Sequence, residues 1–222
     1  MTSEKKEKPK SRPPSLSRRR ARVHRARRVQ RALTVAMTAI VALGLAGLGL
    51  WILFEQRPEV TVQTYPVAYE ATIRARAAEN GIDPAWAAAV ILAESSYQPE
   101  AVSSANAQGL MQLLPDTAQW IAGKFDEAYV EGCLFDPETN IRYGCWYLGY
   151  LYGRFHGDLT CATAAYHAGQ GQVDAWLADP EYSDDGVTLA RIPFDSTDTY
   201  VKRVLKYYEK YVQLYAQDAE AA

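Results

Sequence analysis

Residues 32–54 read ALTVAMTAIVALGLAGLGLWILF, twenty-three consecutive residues without a charge. At a rise of about 1.5 Å per residue, a helix of that length covers roughly 34 Å, enough for a hydrocarbon core of about 30 Å. A secretory signal is the competing reading, but its apolar core is roughly 7–15 residues long and ends at a small-x-small cleavage site. The EQRPEV that follows offers no such site. The run is therefore read as a signal-anchor transmembrane helix, and it divides the chain into two parts that need separate readings.

The formal net charge of -2 conceals how different those parts are. Residues 1–31 hold thirteen Lys/Arg against two Glu, and the remainder holds eleven against twenty-four acidic residues. Arg18, Arg19, Arg20, Arg22, Arg25, Arg27, Arg28 and Arg31 crowd one side of the apolar run, whereas Arg57 stands alone shortly after it. Positive charge stays on the cytoplasmic side, so the N-terminus is expected inside and everything beyond residue 54 outside. The tail is expected to be a disordered topology determinant. It contains no aromatic residue to stack on a base, and no nucleic-acid partner is expected. An acidic external part likewise gains nothing from diffuse attraction to an anionic surface.

With 48% hydrophobic and 23% charged residues, the chain is neither disordered nor a disulfide scaffold. Its three cysteines, Cys133, Cys145 and Cys161, all fall in the external part and have no metal-ligand spacing. Cys133 with Cys145 is the favoured disulfide, since it would pin a loop to the helix that follows. Buried free thiols packing as small apolar groups are the alternative. Residues 55–68, with Pro58 and Pro66, read as a spacer between membrane and domain.

From residue 69 the pattern is helical. Tyr69, Ile73, Ala77 and Ala78 follow helical spacing over 69–80, Gly81 stands where the helix must end, and Asp83-Pro84 opens the next one. In that second helix Trp86, Val90 and Ala93 form an apolar stripe, and Glu94 lies beside it in the last turn. The negative end of the helix dipole and partial burial both disfavour ionisation there, which predicts a raised pKa and a candidate general acid. The bland alternative is a glutamate at the solvent edge of the stripe.

A polar stretch follows, in which Gly109-Leu110-Met111-Gln112 precedes a helix opened by Pro115 and Asp116. Gly109 is expected to let backbone approach a ligand, and Gln112 to offer both donor and acceptor. Asp136-Pro137 opens an aromatic helix in which Tyr143, Tyr147 and Tyr150 share a face expected to pack in the core, with sugar-facing rings as the alternative. A short helix over 159–167 closes on Ala168-Gly169-Gln170-Gly171, and 173–177 restarts the pattern. Residues 179–195 read as a surface insertion. The last helix starts near Ser196 or Thr197, with Tyr200, Val201, Val204, Leu205, Tyr208, Val212 and Tyr215 on one stripe. No alternating strands are evident beyond a small hairpin between Ser96 and Gln112, so the fold class is mainly α.

The order of four motifs is informative: E-S-S at 94–96, G-L-M-Q at 109–112, A-Y-H-A-G at 165–169, and Tyr200 opening the last helix. Together they resemble the catalytic domain of the soluble-lytic-transglycosylase family, and the likeness runs over about 69–215. The resemblance implies a lysozyme-like fold, peptidoglycan glycan strands as substrate, and no cofactor or metal. It makes Glu94 the single catalytic acid/base, supported by Ser95 with Ser96 nearby. Gly109, Leu110, Met111 and Gln112 would line the saccharide groove, with Tyr166, His167 and Tyr200 at the reacting sugar.

Two residues depart from the family pattern. His167 stands where members usually carry Asn, and Ser196 where many carry Glu. The activity implied is cleavage of the bond between N-acetylmuramic acid and N-acetylglucosamine with closure of a 1,6-anhydro ring. Hydrolysis of the same bond, as in goose-type lysozymes, is an alternative that needs a second acid, for which Asp126, Asp136 and Asp198 qualify by charge. A non-catalytic glycan-binding scaffold of an envelope assembly is the other alternative. The expected organisation is thus a cytoplasmic tail (1–31), one membrane span (32–54), a linker (55–68) and an extracytoplasmic domain (69–222).

Overall fold

Three helices start on the same device, an aspartate whose carboxylate accepts a hydrogen bond from a backbone N–H of the first turn. Asp83 accepts from Ala85, Asp136 from Thr139 and Asp158 from Cys161. In the first two cases proline follows at the first helical position, where its missing N–H costs nothing. These caps set the frame of a computed structural model that describes residues 65–221. The tail, the apolar run and the first part of the spacer lie outside the described residues. Among those described, no helix is long and apolar enough to cross a membrane.

The helices are α1 (Glu70–Glu79), α2 (Pro84–Ser95), α3 (Pro115–Lys124), α4 (Pro137–Arg154), α5 (Leu159–Ala168), α6 (Gln170–Leu177) and α7 (Asp195–Ala221), with a 3-10 turn at Cys133–Phe135. The fold is mainly helical and lysozyme-like. In place of a hairpin, the segment between α2 and α3 carries only isolated antiparallel bridges, Val102 with Gln108 and Gln108 with Leu113.

The second helix is more deeply embedded than a single stripe predicts. Every residue from Ala85 to Ile91 is buried, because α2 packs on α1 and, most extensively, on α7. Small alanines let those neighbours approach from several sides, as expected for a helix that is apolar all round. On α7 the buried stripe is Tyr200, Val201, Val204, Tyr211 and Tyr215, while Val212 is exposed. The expected stripe thus departs at one turn, where Tyr211 takes the buried place of Val212, and resumes at Tyr215. Tyr211 also reaches back to donate from its hydroxyl to the Pro66 carbonyl at 2.7 Å. With Tyr65 packed edge-on against Tyr207 and Tyr211, the end of the expected spacer belongs to the folded unit.

Two apolar clusters make up the interior. The larger one joins α1, α2, α4, α5 and α7; the smaller holds Leu113, Ala118, Ile121, Ala122, Leu134 and Tyr143. The cysteines divide between them. Cys145 is fully buried in the larger, whereas Cys133 is partly exposed against the smaller, and no disulfide joins them. The expected bond is absent because the two side chains belong to different interiors, Cys145 to the larger cluster and Cys133 to the smaller.

Candidate active site

The G-L-M-Q segment is held in place by one buried polar side chain, Asn140, in the first turn of α4. Its Oδ1 accepts from the Met111 N–H at 2.8 Å, and its Nδ2 donates to the Leu134 carbonyl at 2.8 Å and the Gln108 carbonyl at 3.0 Å. That clamp explains Gly109, which has φ +77°. A Cβ there would run into the Leu134 carbonyl and the Asn140 amide. The glycine therefore admits this clamp, not a ligand as the sequence reading had it. Leu110 and Met111 are fully buried, and the Met111 sulfur packs where α4 carries Gly144. They form the backing of a groove instead of its surface. Gln112 does line the groove, though its Nε2 is committed to the Ala101 and Gly109 carbonyls at 3.0 and 2.9 Å.

The groove has a volume of about 460 Å³. Gln112, Leu114 and Thr117 line it, together with Tyr147 from α4 and Tyr166, His167 and Gly169 at the end of α5. Glu94, in the last turn of α2, is the only carboxylate in that lining among the described residues. Its Oε1 accepts a hydrogen bond from the Tyr200 hydroxyl at 2.6 Å, from a tyrosine that is almost wholly buried. Burial of the carboxyl raises its pKa to about 7, against the opposing effects of the Tyr200 hydrogen bond and the Arg203 charge. With Oε1 occupied as an acceptor, the proton of the neutral acid resides on Oε2, the oxygen left to the groove.

Tyr166 and Tyr200 play different parts. Tyr166 donates to the Met111 carbonyl at 2.7 Å and so ties α5 to the clamped segment. His167 stacks on the Tyr200 ring at a centroid distance of 4.6 Å, and its Nδ1 meets the buried Thr197 hydroxyl at 3.1 Å. Partial desolvation and the Arg203 charge lower its pKa, so the ring is neutral around neutral pH.

Two predicted site residues lie elsewhere. Ser95 is buried and donates to the Ile91 carbonyl at 3.2 Å, back into its own helix. Ser96 is an exposed residue in the left-handed conformation that ends α2. Ser196 is exposed at the start of α7. Of the acids weighed as a second carboxylate, Asp136 caps α4 and Asp198 pairs with Lys202; neither they nor Asp126 line the groove.

A family model described as "Transglycosylase SLT domain" matches residues 71–186. The chain belongs to the transglycosylase SLT domain family. The chain is 37% identical over 161 residues to the soluble lytic murein transglycosylase of Escherichia coli K12, a match covering 71% of this chain and 24% of that protein. It is 34% identical over 173 residues to the membrane-bound lytic murein transglycosylase C of Actinobacillus pleuropneumoniae, covering 66% and 46%.

Among solved structures, an inactive mutant of the lytic transglycosylase Slt from Pseudomonas aeruginosa superposes with a TM-score of 0.63 at 34% identity, covering 72% of this chain and 26% of that one. The 70-kDa soluble lytic transglycosylase of E. coli gives 0.63 at 32%, covering 70% and 26%, and the same enzyme has been solved with bulgecin A. The chain thus spans about a quarter of the length of the soluble relatives.

Tyr147, for which a sugar-facing ring was the alternative to core packing, lines the groove, while Asn140, Thr117 and Thr197 belong to the SLT domain's site but were not singled out in the sequence. A signal existed for Asn140, a polar residue beside Ile141 on the buried face of α4. Thr117 and Thr197 carry none, since their roles come from tertiary placement.

Proposed function

We propose that this SLT domain is a peptidoglycan lytic transglycosylase with Glu94 as its single acid/base. The observation that carries the reading is one carboxylate, raised to about 7 and held by Tyr200, alone in the lining of a groove with tyrosines on its wall. Its relatives named as lytic murein transglycosylases support the same reaction. A retaining or inverting glycosidase ordinarily needs two carboxylates, but a substrate carrying an N-acetyl group supplies the second function itself.

In the first step the Oε2 proton passes to the oxygen linking N-acetylmuramic acid to N-acetylglucosamine, and the C1–O bond breaks as the leaving sugar takes that proton. The N-acetyl oxygen of the muramoyl residue stabilises C1. In the second step the ionised Glu94 removes the proton of the C6 hydroxyl, O6 bonds to C1, and the 1,6-anhydro ring closes. Glu94 ends protonated as it began, so no water enters the balance. Inverting hydrolysis would need a second carboxylate as base opposite Glu94, and among the described residues no other carboxylate lines the groove.

The same proposal places the domain outside the membrane on an anchor at residues 32–54, an arrangement supported by the asymmetry of charge about that run and by the name of the membrane-bound relatives. The ten residues between the apolar run and Tyr65 extend at most about 36 Å, so the strands cut would be those near the bilayer. Clearing of a peptidoglycan suspension by the full chain tests the activity: the Glu94→Gln variant is expected to lose it by about 100-fold or more. Equal clearing by both would refute the assignment.

A further inference from the structure

An aromatic surface continues the groove beyond Tyr147. On α4 the rings of Tyr147, Tyr150 and Trp146 lie nearly parallel, at 11° for Tyr147 with Tyr150 and 9° for Trp146 with Tyr150. Trp120 of α3 meets all three edge-on, at centroid distances of 5.3 Å to Trp146, 6.1 Å to Tyr147 and 5.2 Å to Tyr150. These rings are not sealed in the core. Trp120 keeps 37% of its surface exposed, and the other three are half-buried.

Each wall of the groove leads to this surface through its own helix. Thr117 lines the groove and Trp120 follows three residues later on α3; Tyr147 lines it and Tyr150 follows three residues later on α4. Gly169 lines the remaining side, and the next residue, Gln170, accepts the Tyr150 hydroxyl at 3.0 Å, leaving its amide N–H groups as donors. Three residues of helix advance about 4.5 Å, close to the width of one pyranose. We propose that Trp120, Tyr150 and Gln170 form a further saccharide subsite, one sugar beyond the groove, that holds a pyranose ring of the same glycan strand by stacking and by a hydrogen bond from the Gln170 amide. The proposal rests on the reading of the groove as a glycan-strand site. A flat apolar ring face over indole with polar rim donors is what a sugar offers and accepts.

The test uses the full chain carrying Glu94→Gln, with short and long oligomers of N-acetylglucosamine as probes and binding followed by tryptophan fluorescence and calorimetry. Long oligomers are expected to bind about five- to tenfold more tightly than short ones. Trp120→Ala removes that difference while the affinity for short oligomers stays as before, Trp120→Phe restores most of it, and Gln170→Ala reduces it partway; circular dichroism verifies the fold of each.

Equal loss for short and long oligomers, no loss for either, or no binding of any oligomer would overturn the subsite. So would Trp120→Ala weakening attachment to phosphatidylglycerol vesicles with oligomer affinity unchanged, which would make the aromatic surface a membrane contact. Product release from peptidoglycan that depends on Glu94 but shows no Trp120 effect on strand length refutes this subsite alone. Absence of Glu94-dependent release refutes the underlying reading.

Discussion

The hydroxyl of Tyr200 donates to Oε1 of Glu94 at 2.6 Å, joining the start of the last helix to the end of the second across 106 residues of sequence. The bond favours the ionised carboxylate, whereas burial favours the neutral acid, and burial prevails. Activity that needs protonated Glu94 is therefore expected to fall as pH rises through about 7. Tyr200→Phe removes the opposing hydrogen bond, so this alkaline limb moves to higher pH while the maximal rate drops about tenfold through lost positioning. A pH–rate profile that shifts to lower pH would contradict the arrangement.

The same carboxyl makes the site costly to fold. Because its folded pKa exceeds the ordinary carboxylate value, the native state holds more protons between about pH 4.5 and 7, and stability falls as pH rises across that window. Above pH 7 the cost is fully present; below pH 4.5 it is gone. Glu94→Gln is expected to stabilise the domain by about 1–3 kcal/mol at pH 8 and by little at pH 4, as read from chemical unfolding at the two values. Equal effects at both would contradict the burial of this group.

Asn140 and Gly109 serve one clamp, and they are expected to behave as a pair. Asn140→Ala leaves the Met111 N–H unsatisfied in the interior and is predicted to cost about 2–4 kcal/mol. Gly109→Ala forces a side chain into the Asn140 amide at a left-handed φ and is predicted to cost at least about 3 kcal/mol. The double variant should fall well short of the sum, because both changes disrupt the same contacts. Additive losses in urea unfolding would refute a shared role.

The thiols offer a direct check on the fold. Burial pushes those of Cys145 and Cys161 up to about 12, and both are fully inaccessible, so neither should react with a thiol reagent in the native protein. Cys133, partly exposed, is expected to react slowly. Unfolding without reductant should expose all three thiols. A count of one would reinstate a disulfide.

Much of this architecture was legible because local chemistry decides it. Asp-Pro at 83–84 and 136–137 supplies both the cap and the first helical residue, and the Glu94 environment follows from its position beside an apolar stripe in a last turn. What was illegible is set by distance in space. Gly109 looked like a ligand contact because sequence does not show that Asn140 fills the space beside it. Ser95 looked like a partner of Glu94, yet adjacent residues on a helix face different ways, and its hydroxyl turns to Ile91. For Tyr147 and Tyr150 the core was favoured over a sugar-facing place; both are half-buried, Tyr147 lines the groove, and Trp120 meets each edge-on. The apolar run at 32–54 rests on sequence pattern alone.

The central claim is that one carboxyl group both delivers and recovers the proton, and the products decide it. Purified full chain and its Glu94→Gln variant should be incubated with isolated peptidoglycan and the released fragments analysed by mass spectrometry. The account predicts 1,6-anhydromuropeptides, lighter by one water than hydrolysis products, from the first and none from the second. Reducing-end muropeptides, or anhydro products independent of Glu94, would contradict it.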